Sequence, residues 1–158
     1  MRGKDEARLW QTAPMTPWSD NTLTDAGLLR ATLESLPDAF VLADTAGTIR
    51  YWNAAATRVF GFTGEEAVGQ SLNHMIPERF RPAHDAGFSR AVETGTMRTG
   101  TRVLRTRSNH KDGRRLYVDF TFAVVKAPDG HVVAVQALAR DATEAHLQQQ
   151  ASSQEKKA

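Results

Sequence analysis

The hydrophobic residues in the first part of the chain predict a helix followed by a β-hairpin. Leucines recur at helical spacing and stop before a proline, which predicts an N-terminal flanking helix over 21–36. Two apolar runs, at 39–44 and 49–52, are separated by a glycine turn, as expected for two antiparallel strands. Asn53 has the residue type of a helix N-cap, and Thr63 and Glu66 have the spacing of a capping box, so short helices are expected after Asn53 and Thr63.

The second half of the chain predicts one longer helix and three further strands. The helix begins at Pro82, which suits a first turn, and continues to about Glu93, before a glycine. A last helix begins at 141 and gives way to a polar tail from Gln148. Turn residues separate the three predicted strands, which lie at about 98–107, 114–125 and 131–140.

This order of elements predicts an α+β fold. Strands grouped at the two ends of a helical segment favour a five-stranded antiparallel sheet with the helices on one face and a flanking helix at each end. The predicted organisation is a flexible leader over 1–20, the flanking helix over 21–36, a core over 37–140, and a C-terminal helix and polar tail over 141–158.

Composition excludes several classes of function. The chain has no cysteine, which excludes disulfides, thiolate zinc sites, a cysteine nucleophile and a light-driven cysteinyl–flavin adduct. With 20 Lys and Arg against 18 Asp and Glu, the net charge does not predict a nucleic-acid partner. No apolar run approaches the roughly 18 residues of a membrane span, and the first six residues do not resemble a signal peptide, so a cytoplasmic location is expected. No catalytic set or phosphate loop stands out, and an enzyme is not expected.

An ordered set of turn and cap residues resembles a known family. The set is Asp44-x-x-Gly47-x-Ile49-x-x-x-Asn53-x-Ala55, Phe60-Gly61-Phe62-x-x-Glu65-x-x-x-Gly69, Pro77, Lys111-Asp112-Gly113 and Arg140-Asp141-x-Thr143-Glu144. In this order and spacing it resembles a PAS domain across about 25–145. The resemblance implies a sensory module in signal transduction, with a ligand held between helices and sheet. It also implies a homodimer formed through the flanking helices, which carry the signal to an output protein or domain that the sequence does not identify.

The segment 81–90 is similar to the helix that bears the proximal histidine in haem-binding PAS domains, namely the oxygen-sensing histidine kinases of nitrogen fixation and a haem-regulated phosphodiesterase. The similarity implies haem b as cofactor, His84 as the iron ligand and Arg90 beside a propionate. Phe88 and Ala91 share a helical face with His84, where a flat macrocycle could lie. The alternative is that His84 binds no haem and is a half-exposed histidine whose only interaction is a hydrogen bond in the neighbourhood of Asp85.

The opposite side of the expected haem pocket departs from these relatives. The same alignment places Leu104 where the kinases have an arginine that donates to bound oxygen, and Arg102 where the phosphodiesterase has an axial methionine. Leu104 would form an apolar wall with Phe120 and Phe122, which favours CO or NO over O₂ unless Arg102 moves in. Arg102 and Leu104, two residues apart on the predicted strand of about 98–107, share one of its faces, although a solvated strand arginine is the simpler interpretation. Met97 is a second candidate for the sixth ligand.

Two further interpretations stay open. A haem-free PAS module could serve in dimerisation and signal relay, with the leucine stripe of 28–36 pairing between protomers, or could bind a small organic ligand. A flavin photosensor is disfavoured by the absent cysteine, whereas non-covalent flavin redox sensing stays open. The remaining histidines are expected to be structural: His110 in a hairpin turn, His131 at a strand start, His146 in an exposed helix, and His74, which could also line the pocket.

Overall fold

The computed structural model of the protein describes residues 25–155. The predicted leader and the first residues of the predicted flanking helix lie outside the described residues. The first described helix, α1, covers Asp25–Ser35, and the chain divides between Ala31 and Thr32 into two compact units. All the elements that follow belong to the second unit.

The second unit contains five strands, the helices that connect them and a C-terminal helix. In chain order they are β1 (Ala39–Asp44), β2 (Ile49–Trp52), α2 (Ala54–Phe60), α3 (Gly64–Ala67), two 3-10 turns (Leu72–His74 and Glu78–Phe80), α4 (Arg81–Thr94), β3 (Leu104–Asn109), β4 (Arg115–Lys126), β5 (Val132–Asp141) and α5 (Thr143–Glu155). No helix within 25–155 is long and apolar enough to cross a membrane.

The five strands form one antiparallel sheet in the order β2-β1-β5-β4-β3. This confirms the predicted α+β fold with a five-stranded antiparallel sheet. Alternating residues of β1 and β4 face a buried cluster to which β2, β5, α2 and α3 also contribute, because side chains of a strand point to opposite faces in turn. The cluster consists of Ala39, Val41, Ile49, Trp52, Ala56, Phe60, Ala67, Met75, Leu116, Val118, Phe120 and Ala139.

Local signals placed most of the helix ends correctly. The Asn53 side chain accepts from the Ala56 N–H, and Thr63 forms a capping box with Glu66, as predicted. Gly61 ends α2 in the left-handed region at φ 81°.

Two boundaries were wrong. The strand expected at about 98–107 begins only at Leu104, because successive backbone turns, Gly100 N–H to Met97 O and Arg102 N–H to Thr99 O, occupy the preceding residues. The C-terminal helix does not give way at Gln148 but continues to Glu155. Gln and Ala are good helix formers, and their propensity outweighs the absence of an apolar stripe in this segment.

Candidate functional site

The three predicted wall residues lie together on the core face of the sheet. Leu104 of β3 is directly opposite Phe120 of β4, so the two side chains share a face. Phe122, two residues along β4, stacks on Phe120 with ring centroids 5.3 Å apart. Phe120 is buried and Phe122 half-buried, whereas Leu104 is 43% exposed. The wall is therefore apolar throughout and open to solvent at Leu104.

Helix α4 is mostly exposed on the surface of the unit. Of its 14 residues only Ala91 is buried. Phe88 is half-buried and reaches the β1–β2 turn, where its Cε1 would lie 3.9 Å from a Cβ added to Gly47. A Cβ added to Gly87 would meet no atom within 4 Å, so this part of the helix surface is open.

His84 lies in the first part of α4 with its side chain 31% exposed. Its Nδ1 is 3.2 Å from the Asp85 carboxylate, and the other oxygen of Asp85 accepts from the Asn73 side chain at 3.3 Å. The His84 ring is 6.0 Å from that of Phe88, which confirms that the two share a side of the helix. With the proton on Nδ1, Nε2 carries the lone pair that a metal requires.

The donor set suits one kind of metal better than others. Within residues 25–155 no group of three or more His, Cys, Asp or Glu side chains could hold a metal ion. A single histidine is nevertheless sufficient for haem iron, because the porphyrin supplies the other in-plane ligands. Arg90, six residues after His84, is exposed, and its guanidinium makes no hydrogen bond or ion pair within the described part of the chain. The single imidazole of His84, with Arg90 on the same helix, is thus a donor set that fits haem iron and a propionate rather than a metal held by protein ligands alone.

Arg102 does not occupy the predicted position. It lies in the turn before β3, with its Nε 3.4 Å from the Thr99 carbonyl oxygen, and does not share a strand face with Leu104. The expectation of a strand arginine is therefore wrong, because the two turns of 97–102 delay the start of the strand. Met97 lies in the same loop, as expected.

One histidine was also misjudged. His146 was expected on an exposed helix, but its ring stacks on Tyr117 with centroids 3.6 Å apart, and its Nε2 is buried without a hydrogen-bond partner in the described structure. His110 lies in the β3–β4 turn as predicted, packed against Gly61. His74 contacts Phe62 at 4.4 Å between ring centroids, so it is satisfied locally.

Comparison with known proteins is consistent with this geometry. A family model described as the PAS fold matches residues 33–147. The chain is a PAS domain. It is 30% identical to the oxygen sensor protein DosP of Escherichia coli over 126 residues, covering 77% of this chain and 16% of DosP. It is 36% identical to the sensor protein FixL of Bradyrhizobium diazoefficiens over 86 residues, 46% of this chain and 17% of FixL.

A solved structure gives the same fold. The crystal structure of a PAS domain from Colwellia psychrerythraea superimposes with a TM-score of 0.65 at 25% identity, covering 76% of this chain and 99% of that one. The part of this chain that matches FixL and DosP covers only about a sixth of the length of each of those two proteins. The chain is therefore a sensory PAS domain of signal-transduction proteins with distant similarity to these two sensors.

Proposed function

We propose that this PAS domain binds haem b and detects a diatomic gas, O₂, CO or NO, with His84 as the protein ligand of the iron. The observation that carries the proposal is the hydrogen bonding of the two ring nitrogens of His84. Nδ1 of His84 is engaged by Asp85, while Nε2 makes no hydrogen bond within residues 25–155. The similarity to DosP, an oxygen sensor protein, supports a gaseous signal.

Each residue of the site has a separate part in this proposal. His84 holds the iron through Nε2, and Asp85 accepts a hydrogen bond from Nδ1–H and so fixes the ring orientation. Arg90 is free to donate to a propionate in the bidentate geometry of guanidinium and carboxylate. When bound, haem supplies an iron with an open coordination position for the gas.

The gas preference depends on the wall of the sheet. Leu104, Phe120 and Phe122 are apolar and offer no hydrogen-bond donor. Bound O₂ gains more than CO from a donor, so this wall favours CO or NO over O₂. Leu104→Arg supplies a donor and is expected to increase O₂ affinity by about 10- to 100-fold, the worth of a charge-assisted hydrogen bond.

Hemin titration of the purified chain tests the haem site. The wild type is expected to develop a Soret band at equimolar hemin, and His84→Ala to lose the band or weaken hemin binding by at least about a hundredfold. His131→Ala is the matched control, since His131 is exposed at the start of β5 and paired with Asp129. If His84→Ala binds hemin as the wild type does, His84 is not the iron ligand and is only a surface histidine paired with Asp85.

A haem-free module for dimerisation and relay is the second candidate. Leu138 of β5 favours it, because this leucine is 38% exposed on the sheet face opposite the core cluster. In that case the protein stays colourless with hemin and elutes as a dimer. Leu138→Asp or Leu29→Asp is then expected to give monomers, measured by light scattering, whereas a monomeric wild type would exclude this function.

A further inference from the structure

A row of alternating charges crosses the outer face of the sheet, opposite the core cluster. Arg140 of β5 is paired in the register with Asp119 of β4, and Asp119 is paired with Arg105 of β3. Arg140 also forms two hydrogen bonds to Asp38, which directly precedes β1. Arg105 donates in addition to the Gln149 side chain of α5 at 3.0 Å. We call this row the charge ladder; its members are Asp38, Arg140, Asp119, Arg105 and Gln149.

The links of the charge ladder have good geometry. Arg140 and Asp38 meet fork to fork at 2.8 and 2.9 Å, and Arg105 and Asp119 at 2.6 and 2.8 Å. Asp119 is common to both arginines: its pKa is lowered mainly by the hydrogen bond from Arg105, with a further contribution from the charge of Arg140. Arg140 lies opposite Asp119 in the register and interacts with its charge, but among the described residues it makes hydrogen bonds to Asp38 and none to Asp119. The link between the two arginines is therefore electrostatic, through the charge of Asp119, and a change at either of them acts on the other through that charge.

The two ends of the ladder lie on the segments that enter and leave the sheet. Asp38 follows the end of α1 by three residues, and its backbone carbonyl accepts from the buried Asn53 side chain at 3.1 Å. At the other end, α5 is already attached at its start, where Thr143 Oγ1 accepts from the Tyr117 N–H at 3.0 Å. The ring of His146 stacks on Tyr117, and Gln149 gives a further attachment about 9 Å along the helix axis from Thr143. Together these attachments fix the direction in which the C-terminal helix leaves the sheet.

We propose that the charge ladder couples the docking of α5 to the position of residues 36–38, so that release of one end loosens the other. Both segments lead out of the PAS core, one towards α1 and one along α5, and the ladder makes them respond together. The coupling uses the outer sheet face and does not depend on which ligand the core binds.

Hydrogen exchange of the wild-type chain and two variants tests the coupling. Asp38→Asn removes a charge at one end without touching Gln149, which belongs to the other end. The exchange rate is expected to rise about three- to fivefold both at 36–40 and in α5 around residue 149. This is the size of effect expected when the stabilisation from an exposed ion pair is lost. Asp119→Asn removes the shared carboxylate and is expected to affect both segments equally.

Glu66→Gln is the control, because it removes the ion pair with Lys111 while keeping a side chain that can cap α3. It is expected to leave both segments at the wild-type rate. The proposal is overturned if Asp38→Asn accelerates exchange only near its own position, with α5 unchanged. It is also overturned if Glu66→Gln loosens α5 as much as Asp38→Asn does.

Discussion

Asn53 is the residue whose replacement best tests the account of the fold. Its side chain is fully buried, and its amide makes four hydrogen bonds. Oδ1 accepts from the backbone N–H groups of Phe40 at 2.9 Å and Ala56 at 2.8 Å. Nδ2 donates to the carbonyl oxygens of Leu33 at 2.9 Å and Asp38 at 3.1 Å. One side chain thus joins the end of α1, the start of β1 and the start of α2.

The cost of Asn53→Ala follows from the groups that lose their partner. The Ala56 N–H loses its helix cap, which typically costs about 1 kcal/mol. The Phe40 N–H is left buried without an acceptor, which costs about 1–3 kcal/mol. The two carbonyl groups are only partly enclosed and can accept from water. We therefore expect a loss of about 2–4 kcal/mol in the free energy of unfolding, a large part of the roughly 5–15 kcal/mol typical of a domain.

Urea unfolding followed by circular dichroism measures this loss. Ser71→Ala is the control, because Ser71 is also an N-cap but is exposed and makes a single side-chain hydrogen bond, to the Asn73 N–H at 3.2 Å. It should cost no more than about 1 kcal/mol. If Asn53→Ala costs no more than Ser71→Ala at an equal m-value, the reasoning from buried hydrogen bonds is refuted.

Three further predictions concern stability. Gly61→Ala is expected to lower the free energy of unfolding in urea by about 2 kcal/mol or more, because Gly61 has φ 81° and an added Cβ would lie 2.5 Å from Cε1 of His110. Gly69→Ala is the control: Gly69 has φ 90° but no atom within 4 Å of an added Cβ, so this substitution should cost clearly less. Because the pKa of Asp119 is lowered on folding, its contribution is present above its ordinary value of 3.8 and is lost as the pH falls below it. Asp119→Asn should therefore flatten the acid side of the stability profile, and an unchanged profile would contradict this. Hemin at about 100 times its Kd should stabilise the wild type by about 2.7 kcal/mol in thermal unfolding and leave His84→Ala unaffected; equal stabilisation of both would argue against the site.

The parts of the fold that depend on neighbouring residues were predictable from the sequence. The capping box of Thr63 and Glu66 involves atoms three residues apart, and the sequence pattern identified it. The N-cap at Asn53 was predicted too. The hydrogen bond from the Asn53 side chain to the Leu33 carbonyl was not, because it joins residues 20 positions apart and a local sequence pattern does not predict such a contact. His146 was misjudged for the same reason, since its partner Tyr117 lies on a different element.

The candidate site divides in the same way. The wall of Leu104, Phe120 and Phe122 was predictable because period-two alternation and the strand register fix which side chains share a face. Arg102 was placed wrongly because two consecutive turns, which no proline or Asp-Gly pair announces, occupy the chain before β3. The position of α4 was not predictable either. Only Ala91 of that helix is buried, so its apolar stripe is too short to determine how the helix lies on the sheet.

The PAS fold alone does not determine the ligand, because function depends on the residues of a site rather than on the fold that carries it. In the proposed haem site the choice of cofactor and the choice of gas fall on separate elements. His84 of α4 is the proposed metal ligand, and Leu104 of β3 is the proposed wall residue that determines whether a hydrogen-bond donor faces the gas. The two variants should therefore behave differently: Leu104→Arg should change the preference among gases at unchanged hemin affinity, and His84→Ala should abolish hemin binding itself. A Leu104→Arg variant that lost hemin as His84→Ala does would mean that the two residues do not act independently.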